Sequence, residues 1–423
     1  MKLFVGLALM AACFAQAVQA SEGRPAPPTA QLVAAFQLPQ LPGLSGASAD
    51  WRQWDAFFTF VVKQFGQDVP PSLKDPVGDA FLDSRYELTS AIATAQGGNP
   101  VPTLFLNGWQ RLSPIMTQAV AAMPAQTASQ YASFIGIADK LAAVGQQGAQ
   151  LGLLQLTPDA LRGMARLIQP SSAGDPLAYT TNVDTGLRGL LGLESPLAAP
   201  GGGRSGLPGR LLAGLQAAAR LAPWRFPEAV AAEAPAPNQW VPDEKQLPAY
   251  LRKVRALLVE SSDQVAEKHK LGASYRPLFR QIVLTAAWQE TCWRQFVLQG
   301  KTVTPMTSAT GDLGLMQVNR HTWRGVYDLD ELGDDIGYNG NAGGEILIYY
   351  LVRHAIRKGE DKHPGGNLAR GTYSAYNGGP GQLGRYRAVK VNPALRKVDD
   401  AFWEKFQLVS AGREMEVQRC YKK

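Results

Sequence analysis

The feature that most constrains this chain is an apolar helical stretch, residues 285–294, that carries a single carboxylate. The stretch reads TAAWQETCWR, and Glu290 is its only acidic residue. A carboxyl group on an apolar helix face is poorly solvated when charged, which raises its pKa towards neutral pH. Glu290 is therefore a candidate general acid.

The same stretch has a simpler interpretation as part of a helix surface. Arg294 stands four residues after Glu290, and an ion pair at that spacing is a common surface contact worth ~0.2–0.5 kcal/mol. A close guanidinium would lower the pKa of Glu290 instead of raising it. Taken alone, the helix leaves both interpretations open.

Three later segments follow this helix in order along the chain. Residues 308–317 read SATGDLGLMQ, residues 338–347 read YNGNAGGEIL, and residues 374–381 read SAYNGGPG. With the Glu290 helix, they resemble the catalytic domain of the soluble lytic transglycosylases, a lysozyme-like family that acts on peptidoglycan. The resemblance covers about residues 272–390 and includes no match in the N-terminal half.

The resemblance implies a role for each matched residue. Glu290 would be the catalytic acid and base, although the family has Glu-Ser where this chain has Glu290-Thr291. Glycines bring the backbone close to the saccharide, and an amide such as that of Gln317 both donates to and accepts from an acetamido group. In the family, the tyrosine at Tyr376 faces the catalytic glutamate. The predicted substrate-binding residues are Thr291, Ser308, Met316, Gln317, Tyr376 and Asn377.

The implied reaction cleaves the bond between N-acetylmuramic acid and N-acetylglucosamine without water and leaves a 1,6-anhydro end. Two alternatives stay open. A lysozyme-type hydrolase needs a second carboxylate, and the nearby acids Asp312 and Asp328 belong to polar, loop-like stretches. An inactive peptidoglycan-binding or assembly protein would keep Glu290 charged beside Arg294.

The first residues predict export. Met1–Ala20 has a basic start, a short apolar run and small residues before Ser21, as in a cleaved signal peptide. The alternative is a lipid anchor at Cys13. Export, most simply to the bacterial periplasm, permits a disulfide between the two remaining cysteines, Cys292 and Cys420.

The predicted fold is mainly α: a lysozyme-like catalytic domain with at most minor β structure, preceded by an all-helical domain. Apolar residues recur at helical spacing from Trp51 to Phe65, and Thr157 and Pro158 mark a helix start. The stretch from Leu247 to His269 predicts a solvent-facing helix. The predicted divisions are a signal peptide (1–20), a mobile leader (21–48), the helical domain (49–221), a linker (222–242) and the catalytic domain (243–423).

Composition and spacing argue against other chemistries. The four histidines and two remaining cysteines lack the spacing of a zinc site, so no metal or cofactor is predicted. No arginine cluster with interleaved aromatics indicates nucleic acid, and no run after residue 20 predicts a membrane span. The formal charge is +7, or +6 without Lys2, which suits an anionic polymer such as peptidoglycan.

Overall fold

The computed structural model describes residues 48–94, 98–148, 156–171, 174–193 and 238–422, and within these ranges the chain is mainly helical, as predicted. The α-helices are α1 (Trp51–Asp68), α2 (Pro71–Thr94), α3 (Val101–Val120), α4 (Ala125–Gly148), α5 (Pro158–Ile168), α6 (Thr185–Leu190), α7 (Leu247–Lys268), α8 (Arg276–Thr291), α9 (Leu329–Asp334), α10 (Ile336–Tyr349), α11 (Leu368–Gly378) and α12 (Pro393–Ser410). The strands are β1 (Phe296–Gln299), β2 (Thr302–Pro305), β3 (Asp312–Leu313) and β4 (Val318–Asn319). A π-helical turn (Tyr350–Ile356) follows α10, and 3₁₀ turns include Pro380–Gln382 and Glu414–Tyr421.

Two predicted helix starts are confirmed, each with its cap. The carboxylate of Asp50 accepts hydrogen bonds from the N–H groups of Arg52 and Gln53, and the Gln53 side chain accepts from the Asp50 N–H. This reciprocal arrangement is a capping box. At α5, the Thr157 hydroxyl accepts from the Ala160 N–H at 3.2 Å.

The described strands form two short hairpins that follow α8. In the first, β1 pairs antiparallel with β2, with Phe296 opposite Pro305. In the second, β3 pairs with β4, with Asp312 opposite Asn319. The second hairpin holds the glycine-rich segment predicted to contact the substrate.

Helix α7 was predicted to face solvent, and it does so along one side only, where Arg252, Glu260, Asp263 and Glu267 are exposed. Its apolar residues, among them Leu251, Val254, Leu258 and Val265, are buried, because α7 packs against both α8 and α10. The helix is therefore amphipathic, with an apolar face in the core and a charged face in solvent.

The N-terminal helices and the later part of the chain share one continuous hydrophobic core. Buried ion pairs join them: Asp55 of α1 pairs with Arg85 of α2 and with Arg324, each at 2.7 Å. Arg188 of α6 similarly pairs with Glu345 of α10 at 3.0 Å. Paired charges of this kind fix the position of one element on another, since an unpaired buried charge is very unfavourable.

Several predicted segments lie outside the described residues. These are the signal peptide, the leader as far as residue 47, and the linker except for its last residues, 238–242. The domain divisions at 221 and 242 therefore stay predictions. In the part of the chain that the structure describes, no helix combines the length and apolar character needed to cross a bilayer.

Candidate active site

A cleft of about 860 Å³ opens beside the C-terminal end of α8 and contains Glu290. Most of its lining comes from three parts of the chain: α2 and α3, the hairpin β3–β4 with the residues that follow it, and the end of α11 with the loop after it. The charged residues that line it are Asp83, Glu87, Arg111, Glu290, Asp312 and Arg385. The lone carboxylate of the apolar helix thus lies at an accessible surface inside a cavity.

Burial raises the pKa of Glu290 to about 7, and the negative charge of Asp312 acts in the same direction. The hydroxyl of Tyr373 opposes this shift by donating a hydrogen bond to Glu290 Oε1 at 2.8 Å. A carboxyl group with these properties holds a proton near neutral pH and can also accept one back, as a general acid and base requires.

Tyr373 is a site residue that the sequence did not reveal. Its ring is buried and stacks on Phe402 of α12, with centroids 4.1 Å apart. The predicted tyrosine, Tyr376, lies one helical turn later and lines the cleft, but its hydroxyl donates to the carbonyl of Met316. The spacing of three residues on α11 was the available signal, because residues at i and i+3 share a helix face.

The ion pair that the simpler interpretation allowed between Glu290 and Arg294 does not form in the described structure, because α8 ends before the turn that would bring them together. Cys292 and Trp293 both adopt left-handed backbone conformations, with φ of 53° and 63°. The guanidinium of Arg294 instead donates to the carbonyl of Cys420 and lies over the ring of Tyr421.

A disulfide joins Cys292 to Cys420, the two cysteines predicted to pair. The Tyr421 hydroxyl adds a hydrogen bond to the Cys292 carbonyl at 2.9 Å. The C-terminal segment is thereby attached to the end of the helix that carries Glu290, two residues from that side chain.

Three of the predicted substrate-binding residues lie outside the lining of the cleft. Thr291 is buried, and its hydroxyl donates to the carbonyl of Leu315 at 2.7 Å. Met316 is also fully buried. The Ser308 hydroxyl binds the carboxylate of Asp312. These residues shape the glycine-rich loop, so in this structure they support the site instead of facing it.

The other three predicted residues do line the cleft: Gln317, Tyr376 and Asn377. The amide of Gln317 donates to the carbonyl of Gly314 at 2.8 Å. At Gly314, with φ of 67°, a Cβ would lie about 2.4 Å from a side-chain amide, so only glycine fits this turn. Asn377 accepts from Arg385, whose charge is compensated by the buried Asp399 at 2.7 Å.

Asp312 brings a second carboxylate into the cleft. The hydroxyls of Ser308 and Thr310 both donate to its Oδ2, and the Asn319 amide donates to its Oδ1 at 2.8 Å. Both oxygens are thus engaged by the hairpin. The sequence suggested only a polar loop here, because the partners of Asp312 are recognisable only once β3 pairs with β4.

The wall formed by α2 and α3 was not predicted, since no chemistry was assigned to the N-terminal half. The Tyr86 hydroxyl donates to the carbonyl of Tyr376 at 2.7 Å, and the Gly381 N–H donates to Asp83 at 3.0 Å. At Gly379, with φ of 97°, a Cβ would lie 3.0 Å from Tyr86. The glycines of the SAYNGGPG segment therefore allow α2 to pack closely against it.

Within the described ranges, no group of three or more histidine, cysteine, aspartate or glutamate side chains is arranged to hold a metal ion. Comparison with models of known families, with curated proteins and with solved structures finds no match for this chain.

Proposed function

We propose that this protein is a peptidoglycan lytic transglycosylase with Glu290 as its catalytic acid and base. It acts on the β-1,4 bond between N-acetylmuramic acid and N-acetylglucosamine. The site requires no cofactor for this reaction. Its place of action is the exported compartment, most simply the bacterial periplasm, with glycan strands as its partner.

The reaction proceeds in two proton transfers. Glu290 donates its proton to the glycosidic oxygen while the bond from that oxygen to C1 breaks, and the acetamido oxygen of the muramyl residue bonds to C1. The Glu290 carboxylate then takes the proton of the C6 hydroxyl, whose oxygen displaces the acetamido group from C1. The ring closes as a 1,6-anhydro sugar, Glu290 regains its proton, and no water is consumed.

The proposal depends chiefly on the position of Glu290: its carboxyl group lines an accessible cleft, and burial there raises its pKa to about 7. One group must serve first as acid and then as base, so a pKa near the working pH is the favourable value. Arg294, which would have kept the carboxyl charged in an inactive binding protein, contacts Cys420 and Tyr421 instead.

A lysozyme-type hydrolase is the second candidate, and Asp312 is the observation that favours it. A hydrolase uses a second carboxylate as base or nucleophile, and Asp312 shares the cleft with Glu290. Three hydrogen bonds engage its two oxygens, which would weaken it as a base. We therefore place the transglycosylase first.

The proposal is tested by incubating the protein and its Glu290→Gln variant with purified sacculi and measuring the soluble products. The amide keeps the shape of the side chain but cannot transfer a proton, so we expect a loss of ~10²–10⁴-fold in rate. The matched control is Glu260→Gln, on an exposed face of α7, which should keep wild-type turnover. If Glu290→Gln kept more than about a tenth of the wild-type rate, a smaller loss than general acid–base catalysis predicts, Glu290 would not be the catalyst.

A further inference from the structure

The wall of the cleft formed by α2 and α3 carries charged side chains that the proposed reaction does not use. Asp83 and Glu87 stand one turn apart on α2 and share a face, and Arg111 of α3 lies beside Glu87 at 2.6 Å. All three line the cleft that contains Glu290. From Asp83 to Thr94, this face of α2 extends for about 16 Å at 1.5 Å per residue.

This wall is held in place before any ligand arrives. Thr89 binds the side chains of Asn319 and Thr322 at 3.2 and 3.0 Å. Beside it, Arg85 donates to three backbone carbonyls of residues 321–324. These contacts fix the position of α2 before a ligand binds. A surface that needs no rearrangement loses little conformational entropy on binding.

Arg111 lines the cleft beside Glu87. Both of its described contacts use Nη1: one to Glu87 at 2.6 Å and one to the hydroxyl of Ser84 at 3.3 Å. The other oxygen of Glu87 accepts from Asn107, so Glu87 acts as a positioning residue. Among the described residues, nothing engages Nε or Nη2 of Arg111, and a guanidinium edge with two such donors fits a carboxylate.

Asp83 supplies a carboxylate on the same wall as Arg111. Its Oδ1 accepts from the Gly381 N–H, and within the described part of the chain Oδ2 has no hydrogen-bond partner. Burial raises the pKa of Asp83, so an approaching amino group would favour the charged form. The wall thus offers one site for a carboxylate and one for an amine, on the same side of the cleft.

We propose that this wall binds the peptide stem of the substrate strand: Arg111 pairs with a stem carboxylate, and Asp83 accepts from a stem amino group. The inference rests on the proposed function, because stems of this zwitterionic chemistry accompany the glycan of peptidoglycan. The protein would then favour strands that still carry their stems over strands from which they have been removed.

The test compares two substrates: strands with intact stems, and the same strands after an amidase has removed the stems and left the lactyl carboxylates. The measured quantity is the ratio of kcat/KM on the first substrate to that on the second. We expect Arg111→Gln and Asp83→Asn each to lower this ratio about tenfold, the scale of one charge-assisted hydrogen bond. Arg162→Gln is the matched control, because Arg162 is ion-paired and 32% exposed, against 33% for Arg111.

A ratio that stays at the wild-type value in both variants, whatever the absolute rates, would overturn the proposal. A second measurement does not depend on turnover or on Glu290. In the Glu290→Gln background, calorimetry compares the disaccharide tetrapeptide with the bare disaccharide, and adding Arg111→Gln should remove the preference for the tetrapeptide. If the Glu290→Gln protein with Arg111 intact bound the two ligands equally, stem recognition would be refuted. This result does not depend on whether the wild-type protein cleaves either strand.

Discussion

At the scale of single residues, the proposed chemistry depends on the balance of forces on one carboxyl group. Burial and the charge of Asp312 raise the pKa of Glu290, and the hydrogen bond from Tyr373 lowers it. The pKa of about 7 is the result of that balance. A lone glutamate on an apolar helix could be recognised in the sequence, because burial follows from local composition. The role of Tyr373 could not be recognised in the sequence, because it depends on how α11 is rotated against α8.

We predict that Tyr373→Phe shifts the alkaline limb of the pH profile of kcat/KM to higher pH. The hydroxyl stabilises the charged form of Glu290, so its removal raises the pKa, and the protonated acid persists to higher pH. The expected shift is about one unit, since one unit is ~1.4 kcal/mol, the scale of a hydrogen bond to a charged group.

Tyr386→Phe is the control for that experiment. Its hydroxyl donates to Glu360 at 2.8 Å, which makes it a comparable tyrosine–glutamate contact away from the cleft lining. The control should leave the profile where it is. An alkaline limb that stays fixed or moves to lower pH in Tyr373→Phe would show that this limb does not report Glu290.

At the scale of elements, the end of α8 decides what surrounds Glu290. Helical spacing placed Arg294 beside Glu290, but the left-handed residues Cys292 and Trp293 end the helix first. Such a conformation in residues other than glycine is uncommon, so local propensity gave no warning. The signal was the cysteine itself, whose disulfide attaches the C-terminal segment to this turn.

We predict that replacing both Cys292 and Cys420 by serine lowers the free energy of unfolding by ~2–5 kcal/mol. The bond closes a loop with a sequence separation of 128, and the chain-entropy model assigns ~4–5 kcal/mol to loops of this length. Turnover should fall as well, because the end of α8 loses its attachment near Glu290. Denaturant titration with a parallel assay on sacculi measures both effects.

The comparison for the double variant is the wild-type protein with and without reductant. Reduction should reproduce the loss of stability in the wild type and leave the double-serine protein unchanged. If alkylation of the unreduced, denatured wild type labels two free thiols, the bond is absent in solution and this prediction fails.

At the scale of the whole molecule, the cleft is a joint product of the N-terminal helices and the later segments. The helices themselves could be predicted, because apolar periodicity and caps are local signals. Their position could not: Tyr86 and Tyr376 are 290 residues apart in the sequence. Contacts at that separation depend on tertiary packing, and nothing in the periodicity of α2 distinguishes a cleft wall from a solvated face.

Arg85→Ala tests this joint construction. The variant leaves Asp55 with only Arg324 as a described ion-pair partner and removes the donor for three backbone carbonyls, two of them in buried hydrogen bonds. We expect a loss of ~3–5 kcal/mol in the free energy of unfolding and a fall in turnover. Arg52→Ala, at an exposed position on α1, is the control. A change below about 1 kcal/mol, the range of an exposed ion pair, would mean that this contact does not hold the two parts together.

Digestion of sacculi in H₂¹⁸O shows whether Glu290 cleaves peptidoglycan without water. Mass spectra of the soluble products distinguish the two candidate reactions by the end that each leaves. We predict anhydromuramic ends that carry no ¹⁸O, produced by the wild-type protein and lost in Glu290→Gln. Reducing muramic ends labelled with ¹⁸O would contradict this prediction and identify the protein as a hydrolase.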